Sequence, residues 1–149
     1  MKISLGSDHG GLELKNHLVS FLKDNGHEVI DYGTDCSESC DYPDYAYKAA
    51  SAIRDGLVDY GIVICTTGIG VSIVANKVLG VRCSLVTSVE DAILTKEHNN
   101  SNCLALGQKN VSKELSEKIV TAWLNASFAG GRHERRVEKI KAIEVKKYE

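Results

Sequence analysis

Apolar and polar positions divide the chain into alternating segments of two kinds. Short apolar runs are typical of buried strands, and longer segments whose apolar side chains recur every three or four residues are typical of amphipathic helices. The first such pair is residues 2–7, "KISLGS", and residues 11–25, in which Leu14, Leu18 and Leu22 share one face. The pattern predicts strands at residues 2–7, 28–32, 62–65, 81–87 and 103–106, and helices at residues 11–25, 44–55, 69–78, 88–97, 112–126 and 133–147.

Strands and helices therefore alternate along the chain with short connections between them. This order predicts an α/β fold, a three-layer Rossmann-like sandwich with a five-stranded parallel sheet and helices on both faces. The chain has 149 residues and shows no linker, internal repeat or low-complexity segment. We therefore expect a single domain over residues 1–149.

Composition and charge exclude several classes of protein. With 18 basic and 20 acidic residues, the net charge of −2 argues against binding nucleic acid through bulk charge. No apolar run approaches the roughly 18 residues that span a bilayer, so we expect no membrane association. An odd number of cysteines and the lack of a leader sequence favour the reducing cytoplasm.

Four of the five cysteines are weak candidates for chemistry. Cys83 and Cys103 fit buried strand positions, where a thiol acts as a small hydrophobe. Cys36 and Cys40 lie in a polar loop without a second ligand pair, which favours exposed thiols over half of a zinc site. We expect no metal ion.

Ligands of open parallel sheets bind beyond the carboxyl ends of the strands, where loops and helix N-termini collect. That rule selects residues 7–11, 65–72 and 97–100 as candidate site segments. In the second segment several backbone N–H groups can face one point and form an anion-binding nest. The glycine spacing differs from that of dinucleotide-binding and P-loop motifs, and Val71 replaces the arginine of cysteine phosphatases.

The side chains of the first two segments have structural as well as functional interpretations. Cys65 is either a buried small hydrophobe or a base or nucleophile whose thiolate a helix N-terminus would stabilise. Asp8 could simply cap the first helix, although His9 stands at the same strand end.

Basic side chains near the C-terminus have the same ambiguity. His98 closes the fourth predicted helix, where a histidine is commonly only a partner of the helix dipole. Arg132 and Arg136, at i and i+4, share one helical face that suits a phosphate, but they also suit a solvated helix.

Four motifs taken together are more informative than any one of these residues. In order they are Asp8-His9, Cys65-x-Thr67-Gly68-x-Gly70, His98-Asn99 and Gly130-Gly131-Arg132-His133-x-x-Arg136. This combination resembles the type B ribose-5-phosphate isomerases, in the family that includes galactose-6-phosphate isomerase. The resemblance covers essentially the whole chain, including "DYGT", "DYPDYA" and "SIVANK".

The resemblance implies an enzyme that interconverts D-ribose 5-phosphate and D-ribulose 5-phosphate through an enediol, a reaction of the non-oxidative pentose phosphate pathway. It implies no metal or organic cofactor. It also implies a homo-oligomer, a dimer or a tetramer, whose active sites lie between subunits. The helix at residues 133–147 would then pack on a partner subunit.

The resemblance also implies roles for individual residues. Cys65 would move the proton between C2 and C1, His98 would assist opening of the furanose ring, Thr67 would add a hydroxyl contact, and Asp8 would handle sugar hydroxyls or a proton. The implied substrate-binding residues are Asp8, His9, Thr66, Thr67, Gly68, Ile69, Gly70, Asn99, Lys109, Arg132 and Arg136, with the two arginines reaching in from the partner chain.

Three positions depart from the family's usual residues. Thr66 stands where the family usually has glycine, Lys109 replaces an arginine and Asn100 replaces an aspartate. These differences bear on substrate preference and rate more than on reaction class. One alternative is an isomerase of six-carbon sugar phosphates, galactose 6-phosphate or allose 6-phosphate. The other is a non-enzymatic sugar-phosphate sensor with Cys65 as a redox-sensitive thiol.

Overall fold

The chain forms a single parallel sheet covered by helices. A computed structural model describes residues 1–146. Within that range the strands are β1 (Lys2–Ser7), β2 (Glu28–Asp31), β3 (Tyr60–Cys65), β4 (Cys83–Leu85) and β5 (Cys103–Gly107). Their order across the sheet is β2-β1-β3-β5-β4, and every neighbouring pair is parallel. The predicted five-stranded parallel sheet is confirmed.

Helices cover both faces of this sheet, as predicted. They are α1 (Leu12–Asp24), α2 (Tyr42–Arg54), α3 (Ile69–Ala75), α4 (Val89–Asn99), α5 (Lys113–Asn125) and α6 (Arg132–Lys146), and a 3-10 turn (His9–Gly11) precedes α1. Helices α1, α4 and α5 share a core with one face of the sheet, and α2 and α3 share a core with the other. The three-layer sandwich is therefore confirmed.

Side chains of β3 alternate between the two cores because successive residues of a strand point to opposite faces. Ile62 and Ile64 lie in the core beneath α1, α4 and α5, and Val63 and Cys65 lie in the core beneath α2 and α3. The strand is buried on both faces, which explains its continuous apolar sequence. Cys65 thus ends the strand on the α2 and α3 side.

Helix boundaries follow from local capping and differ in detail from the predicted ones. Ser88 caps α4 and Ser112 caps α5 through their side-chain oxygens. Helix α2 begins two residues earlier than predicted, at Tyr42, because Pro43 fits the first turn. The predicted helix 69–78 ends at Ala75, where the side-chain amide of the following Asn76 bonds both the N–H and the carbonyl of Cys83.

Two further boundaries were predicted wrongly or only in part. The strand predicted at residues 81–87 is limited to Cys83–Leu85, an edge strand paired with β5 alone. The helix predicted at residues 133–147 begins at Arg132, and Lys147 lies outside the described residues. Helix α6 contacts α4 and buries Val137, while Glu144 accepts a hydrogen bond from the Gly80 N–H at 3.3 Å.

Candidate active site

The loop after β3 places the Cys65 thiol beside a sharply turned backbone. Cys65 is 6% exposed, and its Sγ accepts a hydrogen bond from the Gly68 N–H at 3.2 Å. Gly68 has a φ of +79°, and a Cβ there would lie 2.5 Å from Leu85 Cδ1. Only glycine allows both the left-handed turn and this close approach. The turn therefore aims a backbone donor at the sulfur.

Segment 107–110 after β5 braces the same loop. The Gln108 N–H donates to the Cys65 carbonyl at 3.0 Å, and the Lys109 N–H donates to the Thr66 carbonyl at 3.0 Å. The Asn110 amide reaches the Thr67 carbonyl at 3.4 Å. The structure thus brings Lys109, an exposed cation, next to the loop that carries Cys65. The Thr67 hydroxyl also accepts from the Ile69 N–H, which fixes the entry to α3.

The segment after β1 completes this side of the site. Asp8 is 7% exposed, and its carboxylate accepts a hydrogen bond from the Gly10 N–H at 3.0 Å, so it does cap the 3-10 turn. A Cβ at Gly10 would collide with Thr66 Oγ1, so the two loops are in direct contact. Asp8 and His9 therefore lie at the same sheet edge as Cys65, because β1 and β3 are adjacent and parallel.

Cys40 and Tyr42, which are not among the candidates predicted from the sequence, lie at the same end of the strands as Cys65. The Cys40 N–H donates to His9 Nδ1 at 3.2 Å, so a neutral His9 carries its proton on Nε2. A Cβ at Gly70 would lie 2.7 Å from the Tyr42 ring, which places that exposed ring against the first turn of α3. The motif "DYPDYA" was the available signal for Tyr42, but nothing in the sequence signalled the backbone contact of Cys40.

A second cluster of candidate residues lies where α4 ends and α6 begins. The His98 and His133 rings are stacked, with centroids 4.2 Å apart and planes 12° apart. Asn99, Arg132 and Arg136 are exposed around this pair. The Ala129 N–H donates to the Glu97 carbonyl at 3.0 Å and anchors the chain that leads into α6.

The second cluster is cationic, and its charges act on one another. The pKa of His133 is lowered, first by partial desolvation and then by His98, Arg132 and Arg136. Positive neighbours oppose protonation of an imidazole, so His133 favours its neutral form.

The two clusters lie at opposite ends of the strands, the first at the carboxyl ends and the second at the amino ends. Cys65 pairs with Gly107 at the carboxyl end of β3. Helix α4 instead runs back to the amino end of β3, where Lys96 Nζ lies 4.2 Å from the centroid of the Tyr60 ring. From Tyr60 to Cys65 the strand spans five residue steps, about 17 Å. The prediction that residues 97–100 lie with 65–72 at the carboxyl edge is therefore wrong for a single chain, because a helix after a strand returns antiparallel to it.

The other cysteines and the remaining features add little to either cluster. The thiols are free: Cys103 is buried as predicted, whereas Cys83 and Cys40 are half-buried and Cys36 is exposed. Hydrogen bonding to Cys83 and then burial raise the pKa of Cys103. In residues 1–146 no group of three His, Cys, Asp or Glu side chains could hold a metal ion. No helix of that range is long and apolar enough to cross a bilayer.

Comparisons with known proteins match nearly the whole chain. The family model described as Ribose/Galactose Isomerase matches residues 3–140. Ribose-5-phosphate isomerase B of Escherichia coli is 49% identical over 98% of both chains, and D-erythrulose-4-phosphate isomerase of Pectobacterium atrosepticum is 41% identical over 94% of this chain and 93% of its own. The solved structure of Clostridium thermocellum ribose-5-phosphate isomerase B superposes with a TM-score of 0.97 at 53% identity and covers 100% of both chains.

Proposed function

The chain belongs to the ribose/galactose isomerase family and is an aldose–ketose isomerase, and we propose that it interconverts D-ribose 5-phosphate and D-ribulose 5-phosphate through an enediolate. The observation that carries the mechanism is the Cys65 thiol, fixed at the strand end with a backbone N–H donating to its sulfur at 3.2 Å. Relatives named for this reaction support the choice of a five-carbon substrate.

Cys65 acts as the base in this proposal. Its thiolate takes the proton from C2 of the open-chain aldose, and the electron pair of the C–H bond moves to form the enediolate. The proton of the C2 hydroxyl moves to the C1 oxygen, the resulting thiol returns a proton to C1, and the C2 oxygen becomes the ketose carbonyl. The proton taken is balanced by the proton returned, so no oxidant, reductant or cofactor is required.

Oxygen atoms of the enediolate gain negative charge, and the surrounding loop is suited to stabilise it. Backbone donors fixed in advance are most effective where charge develops. The loop from Thr66 to Gly70 is held by the 107–110 segment and by its own side-chain bonds, so its N–H groups keep their direction during the reaction. Thr67 and the buried Asp8 supply contacts to sugar hydroxyls from the same edge.

Recognition of the phosphate falls to the cations of both clusters. His9 and Lys109 lie at the Cys65 edge, while Arg132 and Arg136 begin α6. Paired guanidinium groups on one helix face bind phosphate oxygens in a bidentate way. His98, with Asn99 beside it, serves as the acid-base group that opens the furanose ring.

Assembly of these parts requires a second copy of the chain. One protomer separates Cys65 from His98 and the two arginines by about the length of β3, about 17 Å, so the clusters of a single chain cannot surround one sugar phosphate. A symmetric pair of chains places the α4 and α6 cluster of one against the Cys65 edge of the other. We therefore propose a homo-oligomer with shared sites, in which α6 of the single domain at residues 1–149 packs on its partner.

A complementation experiment tests the shared site. Cys65→Ser and His98→Ala should each lower turnover of the homo-oligomer by about a hundredfold or more. Mixed by co-refolding at equal amounts, they should recover about a quarter of wild-type turnover, because half of the dimers are mixed and each holds one intact site. Recovery near zero would mean that both residues serve the same site from one chain.

Substrate choice is tested by turnover in deuterated water. Purified protein is given ribose 5-phosphate, galactose 6-phosphate, allose 6-phosphate and D-erythrulose 4-phosphate in parallel, the last because a relative is named for it. We expect fastest conversion of ribose 5-phosphate, with deuterium entering the carbon skeleton. Cys65→Ser should abolish conversion while the exposed-thiol control Cys36→Ser retains it. Faster turnover of another sugar would replace the substrate, and full activity of Cys65→Ser would remove the thiol base.

A further inference from the structure

His133 stacks on the ring assigned to ring opening, yet it has no role in the mechanism above. Its ring centroid lies 4.2 Å from that of His98, and the planes differ by 12°. Both side chains are half-buried, so the contact is partly shielded from water. Rings this close and this nearly parallel restrict each other's rotation.

The backbone leading into α6 is built to produce this contact. The Ala129 N–H bonds the Glu97 carbonyl, one residue before His98. Gly130 and Gly131 then take left-handed φ values of +70° and +58° and reverse the chain. The His133 N–H closes the turn on the Gly130 carbonyl at 3.1 Å. These backbone contacts therefore place the His133 ring against the His98 ring.

Packing of α6 maintains the stack. Val137 follows His133 at i+4, so the two side chains share a helical face, and Val137 is 2% exposed. The same face therefore holds a buried anchor and the stacked ring, while Arg132 and Arg136 stay exposed. The arginines reach a ligand from a helix whose position the stack helps to define.

We propose that His133 is a positioning residue that holds the His98 imidazole in the orientation needed for ring opening. This inference rests on the proposed function. The neutral state that its surroundings favour is suited to the role, because a neutral ring orients His98 without adding positive charge beside it.

A double-mutant cycle separates positioning from a structural role. His133→Ala should lower kcat for ribose 5-phosphate by about tenfold and leave KM within about twofold. We expect this loss to be smaller than the roughly hundredfold or more that an acid-base group itself contributes, because His98 is still present. In a His98→Ala background the same change should cause no further loss. His133→Phe keeps an aromatic stack and should restore most of kcat. Arg135→Ala, on the exposed surface of the same helix, is the control with unchanged kinetics.

Several results would overturn the inference. Equal losses from His133→Ala in the wild-type and His98→Ala backgrounds would mean that His133 acts independently of His98. A rise in KM instead of a fall in kcat would assign His133 to placing the arginines. An inactive wild-type protein would instead contradict the proposed function.

A spectroscopic measurement tests the contact without turnover. Stacking places the Cε1–H proton of His98 in the ring current of His133. His133→Ala should shift that resonance downfield in the proton NMR spectrum, and His133→Phe should keep it upfield. An unchanged shift in His133→Ala would show that the rings are not stacked in solution and would refute the inference directly.

Discussion

Lys96, two residues before His98, is a buried cation with no carboxylate partner within residues 1–146. It is 2% exposed, its ammonium donates to the Trp123 carbonyl at 2.8 Å, and it lies 4.2 Å from the centroid of the Tyr60 ring and 4.6 Å from that of Trp123. Burial lowers the pKa of Lys96 from 10.5 to about 8. The protonation of this one residue should therefore couple the stability of the fold to pH.

The sign and size of the coupling follow from the two pKa values. Between pH 8 and 10.5 the unfolded chain still holds the proton while the folded chain has released it, so raising the pH favours the folded state. Below pH 8 both states are protonated and the effect disappears. From pH 7 to pH 9.5 the free energy of unfolding should gain about 2 kcal/mol from Lys96, at about 1.4 kcal/mol per unit of pKa shift.

Lys96→Met isolates this contribution because it keeps the length of the stem and removes the charge. Tyr60 and Cys103 have raised pKa values and destabilise the fold as pH rises, but they are present in both proteins and cancel in the difference. Urea unfolding with a thiol reductant at both pH values should give a wild-type minus variant difference that grows by about 2 kcal/mol. The exposed lysine in Lys139→Met should give a constant difference.

A difference for Lys96→Met that stays constant within about 0.5 kcal/mol would refute the reasoning. It would mean that Lys96 keeps its proton in the folded protein at pH 9.5, held by the two aromatic faces and the Trp123 carbonyl.

Three other substitutions test the fold and the site. In the native protein the fully buried Lys15 ammonium lies 2.7 Å from the Asp31 carboxylate, so Asp31→Asn removes its counter-ion and should cost about 2 to 3 kcal/mol of unfolding free energy in urea. Lys15→Met should cost less, because the carboxylate that it leaves unpaired is 36% exposed. Gly68→Ala should abolish most turnover because its Cβ would strike Leu85, while Gly56→Ala, at a similar φ of +72° with open space, should cost about 1 kcal/mol and leave kcat unchanged. Arg132→Ala should raise KM for ribose 5-phosphate by about tenfold or more in steady-state kinetics, and Arg132→Lys should recover only part of that affinity. An unchanged KM would mean that the arginine pair is only a solvent-exposed helix face and does not bind the phosphate.

Periodicity predicted the fold because each strand and helix buries one face of its own sequence. The apolar run that ends at Cys65 and the helical spacing of Leu14, Leu18 and Leu22 need no knowledge of distant residues. Boundaries were less accurate where a distant contact decides them. Helix α3 ends where Asn76 bonds the backbone of Cys83, and no local pattern contains that bond.

Candidate residues were found through motifs, but their arrangement was not. The rule that ligands gather at the carboxyl ends of strands does not hold for residues 97–100, because a helix that follows a strand finishes at the amino ends of the strands. The direction of α4 was therefore available from the predicted order of elements. The contacts of His9 with Cys40 and of Gly70 with Tyr42 join loops far apart in sequence, and only the folded chain shows them.

The Cys65 loop and the start of α6 are held by different numbers and kinds of contacts. We infer that this difference affects which lengths of sugar phosphate the site can bind. The loop of Cys65 is hydrogen-bonded to the segment after β5 and packed against the turn after β1, so its geometry is fixed by the sheet itself. Helix α6 is held instead by Val137, the Ala129 bond to Glu97, the histidine stack and the bond from the Gly80 N–H to Glu144. On this basis we expect small changes in these contacts to alter the direction of Arg132 and Arg136 without disturbing the loop of Cys65. In the proposed mechanism the arginines fix the phosphate end of the sugar, so one proton-transfer loop can serve sugars of different length; a relative 41% identical to this chain is named for a four-carbon ketose phosphate.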